Sequence, residues 1–464
     1  MATLTLASLP VLSFAGYPAL WTGDTATGDA SASPALQAAI DGCDGVLDLA
    51  PGATYLIDDA VTLKSRLHIR GNGATLLQHA SCTDMLRYLS DDLTDLTIEG
   101  LRFDGSATWP EDETSDKWDL TPTYGIRISG ADARRLKILD CYFEKISGSS
   151  ISITSIGGEG LWIERCALLR GFYFSKGISV YADNGSSEAS RFKGIKISGC
   201  RLQHGGPTAY VDAADEIYIN SSDGIHVDGC ANVIISDNDI EYPAGDAIRV
   251  EQTVRCSVSN NKIFEPGYNG INFYESCEDI SATGNKIENW GRLPYAGALY
   301  DYNDGTLVIP REFPHATLAQ FPADPTVSSW WEVWPYTTTG IDTETIRDYA
   351  DKAYYSGVNT GSLPFRGFYG IGVVHNSKNA IITGNTCIPD LTTDGGKYTH
   401  ASDFGIASTH YINAPVDSST KKLGIILGNV AAGRVEDVYT PDYDDPINER
   451  GPKGARVVEN NTTP

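Results

Sequence analysis

Three stretches of this chain repeat a set of polar side chains able to move protons. Asp223, His226 and Asp228 are followed 23 residues on by Asp246, Arg249 and Glu251, and after 23 more by Asn269, Asn272 and Tyr274. An earlier stretch contributes Lys176, Ser179 and Tyr181 at matching places. If the stretches are strands stacked in register, like positions lie about 4.8 Å apart. Asp223 then stands beside Asp246, Asp228 beside Glu251, and His226 beside Arg249. Stacked carboxylates repel, which raises one pKa and sets a neutral acid beside an ionised partner. Glycosidic cleavage uses that division of labour, and a spacing near 5 Å suits the retaining geometry better than the inverting one. Asp223 and Asp228 are about 16 Å apart by strand rise, so the spacing predicts two separate carboxylate pairs. The plainer alternative is a solvated face whose charges stack only because the repeat stacks them.

The elements that must hold these residues follow from self-similarity. GIHVDGCANVIISDNDIEYPAGD, AIRVEQTVRCSVSNNKIFEPGYN and GINFYESCEDISATGNKIENWGR begin at Gly224, Ala247 and Gly270. Further copies begin at Gly370 and Gly405, and looser ones at Gly125, Gly160 and Gly177. Each copy holds two or three short alternating strands separated by Gly, Asn or Asp, so one side chain points inward and the next outward. Strands this short cannot bury a face alone, so the copies must stack. Stacking predicts ladders: one of Cys141, Cys166, Cys200, Asn238, Asn261, Asn285, Asn385 and Asn429, another of Cys230, Thr253, Cys277 and Ser377. These cysteines read as small inward ladder residues rather than a disulfide framework. The fold class is therefore all-β: a single-stranded right-handed parallel β-helix with an N-terminal capping helix and a long inserted loop region. Residues 1–32 form an N-terminal extension, 33–435 the β-helix, and 436–464 a C-terminal tail. The cap is Ser33 to Cys43, with Ser33 as N-cap and Pro34 in the first turn, closing the open end of the core.

The repeat stops between residues 291 and 368. This aromatic-rich insertion carries Trp330, Trp331 and Trp334 and many tyrosines. Long loops inside compact folds are usually functional, and aromatic faces stack on sugar rings. The insertion is either a carbohydrate-binding wall or a small satellite core.

Composition narrows the partners. The net charge of −25, from 35 basic and 60 acidic residues, argues against nucleic acid. A polyanionic ligand would need a local basic patch. No apolar run approaches the length of a membrane span. The N-terminus lacks a basic start and a clear cleavage site, so no signal peptide is read there. The nine cysteines and eight histidines are scattered without zinc spacing, so neither metal nor cofactor is expected. Ca²⁺ at the acidic run Asp442, Asp444 and Asp445 is the one exception considered, against a solvated tail.

On these repeats the chain resembles the pectate-lyase-like β-helix superfamily of polygalacturonases, polysaccharide lyases and bacteriophage tailspike depolymerases. SSDGIHV is similar to the NTDG motif of polygalacturonases, which implies a catalytic-site role for Asp223. AGDAIRV is similar to their GDD motif and matches Asp246 to its second aspartate. Gly245 stands where the first aspartate, the family's general acid, would be, and Asn269 stands where its GHG histidine would be. No RIK motif follows. The resemblance implies a glycoside hydrolase working through Asp223 and Asp246, or through Asp228 and Glu251, on a polysaccharide or oligosaccharide. A second enzymatic expectation is a lyase or epimerase on a uronic-acid polymer. There Arg249 or a cation would neutralise the carboxylate, and His226, Lys176 or a tyrosine would move the proton. A third is a non-catalytic, tailspike-like glycan binder. Lys176, Tyr181, Asn269, Asn272, Tyr274 and the three tryptophans are the expected substrate contacts. The resemblance further implies a monomer or homotrimer and an extracellular or virion-associated place of action.

Overall fold

The computed structural model describes residues 31–290, apart from 91, 106–122, 172–175, 183–189, 205–208, 212–216 and 220–221. It also describes 369–373, 377–388, and short strands at 3–5 and between residues 393 and 459. Each coil has three strands. The coil of the first clear repeat runs through Ile225–Asp228, Ala231–Ser236 and Asp239–Glu241. The next runs through Ile248–Glu251, Val254–Ser259 and Lys262–Phe264. Equivalent strands pair in parallel, Ile225 with Ile248 and then Ile271, and Ile240 with Ile263 and then Ile287. The chain is a parallel β-helix. The alternation in IHVD and IRVE is the cause: Ile225, Val227, Ile248 and Val250 have no solvent exposure, while the residues between them point away from the core.

Local chain chemistry turns each coil. The residue preceding each ladder asparagine adopts a left-handed conformation: Asp237 (φ 59°), Asn260 (φ 55°), Gly284 (φ 67°) and Gly384 (φ 64°). Asn, Asp and Gly tolerate that conformation, which explains the repeated DN, NN and GN pairs. The asparagine itself then turns inward. Asn261 Oδ1 accepts from the Asn238 backbone amide at 3.0 Å and from Asn238 Nδ2 at 2.9 Å, while Asn261 Nδ2 donates to the Ile235 carbonyl at 3.1 Å. Asn285 and Asn385 continue the pattern, and Cys141, Cys166 and Cys200 occupy the same buried column below. Asn429 lies outside the described residues. All nine cysteines are free and buried.

The cap helix spans Ser33–Gly42 and buries Leu36, Ala39 and Ile40. Ser33 is not its N-cap. The first helical bond already runs from the Leu36 amide to the Ala32 carbonyl, which places the cap at Ala32 without a side-chain bond. Ser33 Oγ instead accepts from the Asp58 and Asp59 amides at 3.1 and 3.2 Å, tying the helix to the coil it covers. Parallel pairing extends on both sides of residues 33–435. Thr3–Thr5 pairs with Val46–Asp48, Glu436–Tyr439 with Phe404–Ser408, and Arg456–Glu459 with Gly424–Leu427. Residues 291–368 lie outside the described residues. The three strands of the coil before them pair with those of the coil after, Ile271–Tyr274 with Tyr369–Val373 among them, so the stack is continuous across the insertion. No described helix is long and apolar enough to cross a membrane.

Candidate active site

One face of the helix carries the polar repeat. Its strands Ile178–Ala182, Ile225–Asp228, Ile248–Glu251 and Ile271–Tyr274 align Ser179, His226, Arg249 and Asn272 in one column and Tyr181, Asp228, Glu251 and Tyr274 in the next. The neighbours expected from the 23-residue spacing are therefore the neighbours present. A third column, in the turns that enter these strands, holds Asp223, Asp246 and Asn269.

Asp223 and Asp246 are each only 2% exposed. Asp223 Oδ1 accepts from the Asp246 amide at 2.9 Å, and Asp246 Oδ1 accepts from the Asn269 amide at 3.0 Å. Asp246 also accepts from Asn269 Nδ2 at 2.7 Å and Asn272 Nδ2 at 2.9 Å. These carboxylates thus continue the logic of the asparagine ladder, with their lone pairs engaged inside the protein. Burial and the Asp223 charge push Asp246 up to about 6, against the pull of Arg249 and its two asparagine donors. Asp223 goes the other way. Burial alone would raise its carboxyl, but the contact with His226 and the charges of His226, Arg249 and Lys176 hold it below the usual range.

The two carboxylate pairs are not separate, as strand rise predicts, because Asp223 sits in the turn and His226 reaches back to it. His226 Nδ1 is 3.3 Å from Asp223 Oδ2, and Nε2 is 3.3 Å from Glu251 Oε2, within ion-pair range though not aligned as a hydrogen bond. Burial opposes its charge, yet the two carboxylates raise the His226 pKa. The Tyr181 hydroxyl lies 3.2 Å from the same Nδ1, and burial followed by the charges of Asp223 and Asp228 keeps that phenol protonated. The signal for this bridge was in the sequence: an acid and a histidine three residues apart with a glycine between them.

The outer pair is reachable. Asp228 and Glu251 are both half-buried at the edge of the face. Burial, then the neighbouring Glu251 charge, raises Asp228 to about 6. Glu251 is held below the ordinary range despite its burial, by His226 and by Arg249. Arg249 Nε and Nη2 each stand 3.0 Å from Glu251 Oε2, and the guanidinium lies 4.6 Å over the Tyr274 ring. One neutral and one ionised carboxyl side by side can donate and accept a proton across a bound bond. Among the described residues no cluster of three or more His, Cys, Asp or Glu side chains could hold a metal ion. Trp330, Trp331, Trp334 and the run Asp442, Asp444 and Asp445 lie outside the described residues.

A family model described as a right-handed beta helix region matches residues 123–309. The chain is a right-handed parallel β-helix. No curated protein matches it. Among solved structures, the tailspike protein of E. coli bacteriophage HK620 in complex with pentasaccharide is similar at TM-score 0.51 and 11% identity, over 94% of this chain and 63% of that one. The DFA-IIIase of Arthrobacter chlorophenolicus A6 in complex with GF2 aligns at TM-score 0.48 and 11% identity, over 89% and 81%. The mannuronan C-5 epimerase AlgE4 A-module of Azotobacter vinelandii aligns at 0.43 and 14%, over 97% and 98%.

Proposed function

We propose that this chain is a glycoside hydrolase that cleaves a polysaccharide or oligosaccharide lying along the Tyr181–Tyr274 face. The observation that carries the proposal is the Asp228–Glu251 pair: adjacent in register, neither fully enclosed, one raised to about 6 and the other held below the ordinary range. Asp228 is the general acid that protonates the leaving glycosidic oxygen. Glu251 is the base or nucleophile, held in place by Arg249. Asp223 and Asp246 act behind them. Asp223 positions His226, and Asp246 anchors Asn272 beside Arg249. Tyr181 and Tyr274, one coil on either side of the pair, border it with aromatic rings against which sugar units can pack. The HK620 tailspike protein, similar to this chain in fold, is in complex with a pentasaccharide.

A panel of polysaccharides analysed by mass spectrometry for shortened products tests this reading, with Asp228→Asn and Glu251→Gln as controls. Products bearing an added water, lost in both variants, support hydrolysis. Growth of ultraviolet absorbance from an unsaturated sugar would replace it with a uronate lyase, in which Arg249 neutralises the carboxylate and the Tyr181–His226 contact carries the proton. Binding without shortening in every case would leave a glycan-binding protein.

A further inference from the structure

The column that contains His226 and Arg249 does not end at the acid–base pair. Towards the N-terminus it continues through Ser179 and Ser152 to Arg127 and then Arg87. Leu86, Ile126 and Ile128 point into the core with 1% exposure or less, so the two arginines lie on the outer side of the same face. Two guanidinium groups in register on adjacent strands repel, and like charges directly opposite destabilise a sheet.

Several outward arginines elsewhere on this molecule are neutralised by a carboxylate of the neighbouring coil. Arg135 pairs with Asp95, Arg165 with Asp140, Arg170 with Glu144 and Arg70 with Asp48. Arg87 has no ion-pair partner among the described residues. Arg127 lies 4.8 Å over the Tyr124 ring and is ion-paired to the buried Asp84, Nη1 to Oδ1 at 3.6 Å, a contact without hydrogen-bond alignment that leaves the rest of the half-exposed guanidinium free to bind. A planar guanidinium half-exposed beside an aromatic ring is suited to a bidentate carboxylate. In a chain of net charge −25, two guanidinium groups in register, set against the single carboxylate of Asp84, give an anion a local place to bind on the site face.

We propose that Arg87 and Arg127 form an anion subsite that takes the carboxylate of an acidic sugar, so the glycan cleaved at Asp228 and Glu251 is an acidic one. Arg127 is three coil steps from His226 and Arg87 four, or about 14 and 19 Å at the strand spacing. The subsite therefore grips the glycan away from the scissile bond and sets its position, while the pair does the chemistry. The inference deepens the hydrolase reading and rests on it for the word cleaved, but the subsite itself can be tested without cleavage.

Affinity electrophoresis of the full chain in gels cast with polygalacturonate, alginate or hyaluronan, against dextran and mannan, gives that test. Retardation in at least one acidic gel and in neither neutral gel is expected. Arg87→Ala and Arg127→Ala should each weaken it roughly tenfold, the loss of one charge-assisted bidentate contact. Arg127→Lys should recover only part of it, because an ammonium lacks the fork. Equal mobility of wild type and both variants in all gels, or equal retardation of the variants, overturns the subsite whatever the enzyme does. Circular dichroism separates loss of binding from loss of fold. If a polymer is cleaved, the same two variants should raise KM about tenfold and leave kcat unchanged, and reduction of the polymer's carboxyl groups should do the same to wild type. Cleavage of a neutral polymer with KM unaffected in both variants overturns the proposal while leaving the hydrolase intact. Failure of cleavage with selective acidic retardation sinks the hydrolase and keeps the subsite.

Discussion

At the residue scale, the site depends on opposite protonation of neighbours in register. Asp228 must hold its proton and Glu251 must lack one. Cleavage should therefore fall as pH rises through about 6, where Asp228 ionises, and fall again in acid once Glu251 takes up a proton. A pH–rate profile of kcat/KM checks both limbs, and Asp228→Asn should lose at least about a hundredfold in rate at every pH. Asp223→Asn is a different case, because Asp223 touches His226 and not solvent. It should shift the acid limb of the profile, since it removes one of the two charges that sustain the His226 imidazolium, and change KM little. An unchanged profile in that variant would assign Asp223 to the ladder alone.

At the scale of the elements, the coils from Asn238 to Asn385 are held by an inward asparagine that follows a left-handed turn residue. Asn261 satisfies the Asn238 backbone amide, the Asn238 side chain and the Ile235 carbonyl. Asn261→Ala strands these groups in the core, which costs about 1–3 kcal/mol for each buried group left unpaired. A lowered denaturation midpoint with unchanged kcat below the transition is the expected result. Gly267 makes a matching point about close approach: a Cβ there would meet the Ala244 carbonyl oxygen at 1.9 Å. Gly267→Ala should therefore disturb the turn that leads to Asn269. These positions act on the site only by holding consecutive coils in register.

At the scale of the whole molecule, buried charge links the site to stability. The folded-state pKa values of Asp228, Asp246 and His226 are raised, so their contributions are fully present at low pH and are lost as pH rises through the folded values. Asp223 and Glu251 are lowered, so theirs are present above the unfolded carboxylate range and are lost as pH falls through the folded values. Stability should therefore peak at about pH 4 to 4.5, fall as pH rises through about 6, and decline further towards about pH 8 as His226 loses its proton. Relief of the −25 net charge in acid acts in the same direction. Thermal transitions at pH 5.5 and 8 check this, and Asp228→Asn should flatten the slope between them.

Much of this could be read from the sequence, because in a stacked repeat the period is itself a tertiary coordinate. A 23-residue spacing with alternating apolar residues dictates which side chains become neighbours, and His226 beside Arg249 and Asp228 beside Glu251 followed from counting. The asparagine ladder and its turn residues were legible for the same reason. Counting could not tell how deep each group sits. Asp223 and Asp246 fall in the turn, where they are enclosed and their oxygens are engaged by backbone amides, while Asp228 and Glu251 stand at the accessible edge. Nor could strand rise show that His226 folds back to join both pairs, since rotamer and burial decide that, not spacing. Ser33 failed as a cap for a similar reason: tertiary bonds to Asp58 and Asp59 claimed its hydroxyl. Spacing and alternation dictated the repeat, the face and the pairs. Tertiary structure alone decided which pair meets solvent and which carboxyl keeps its proton, because both depend on burial and on charges from neighbouring coils.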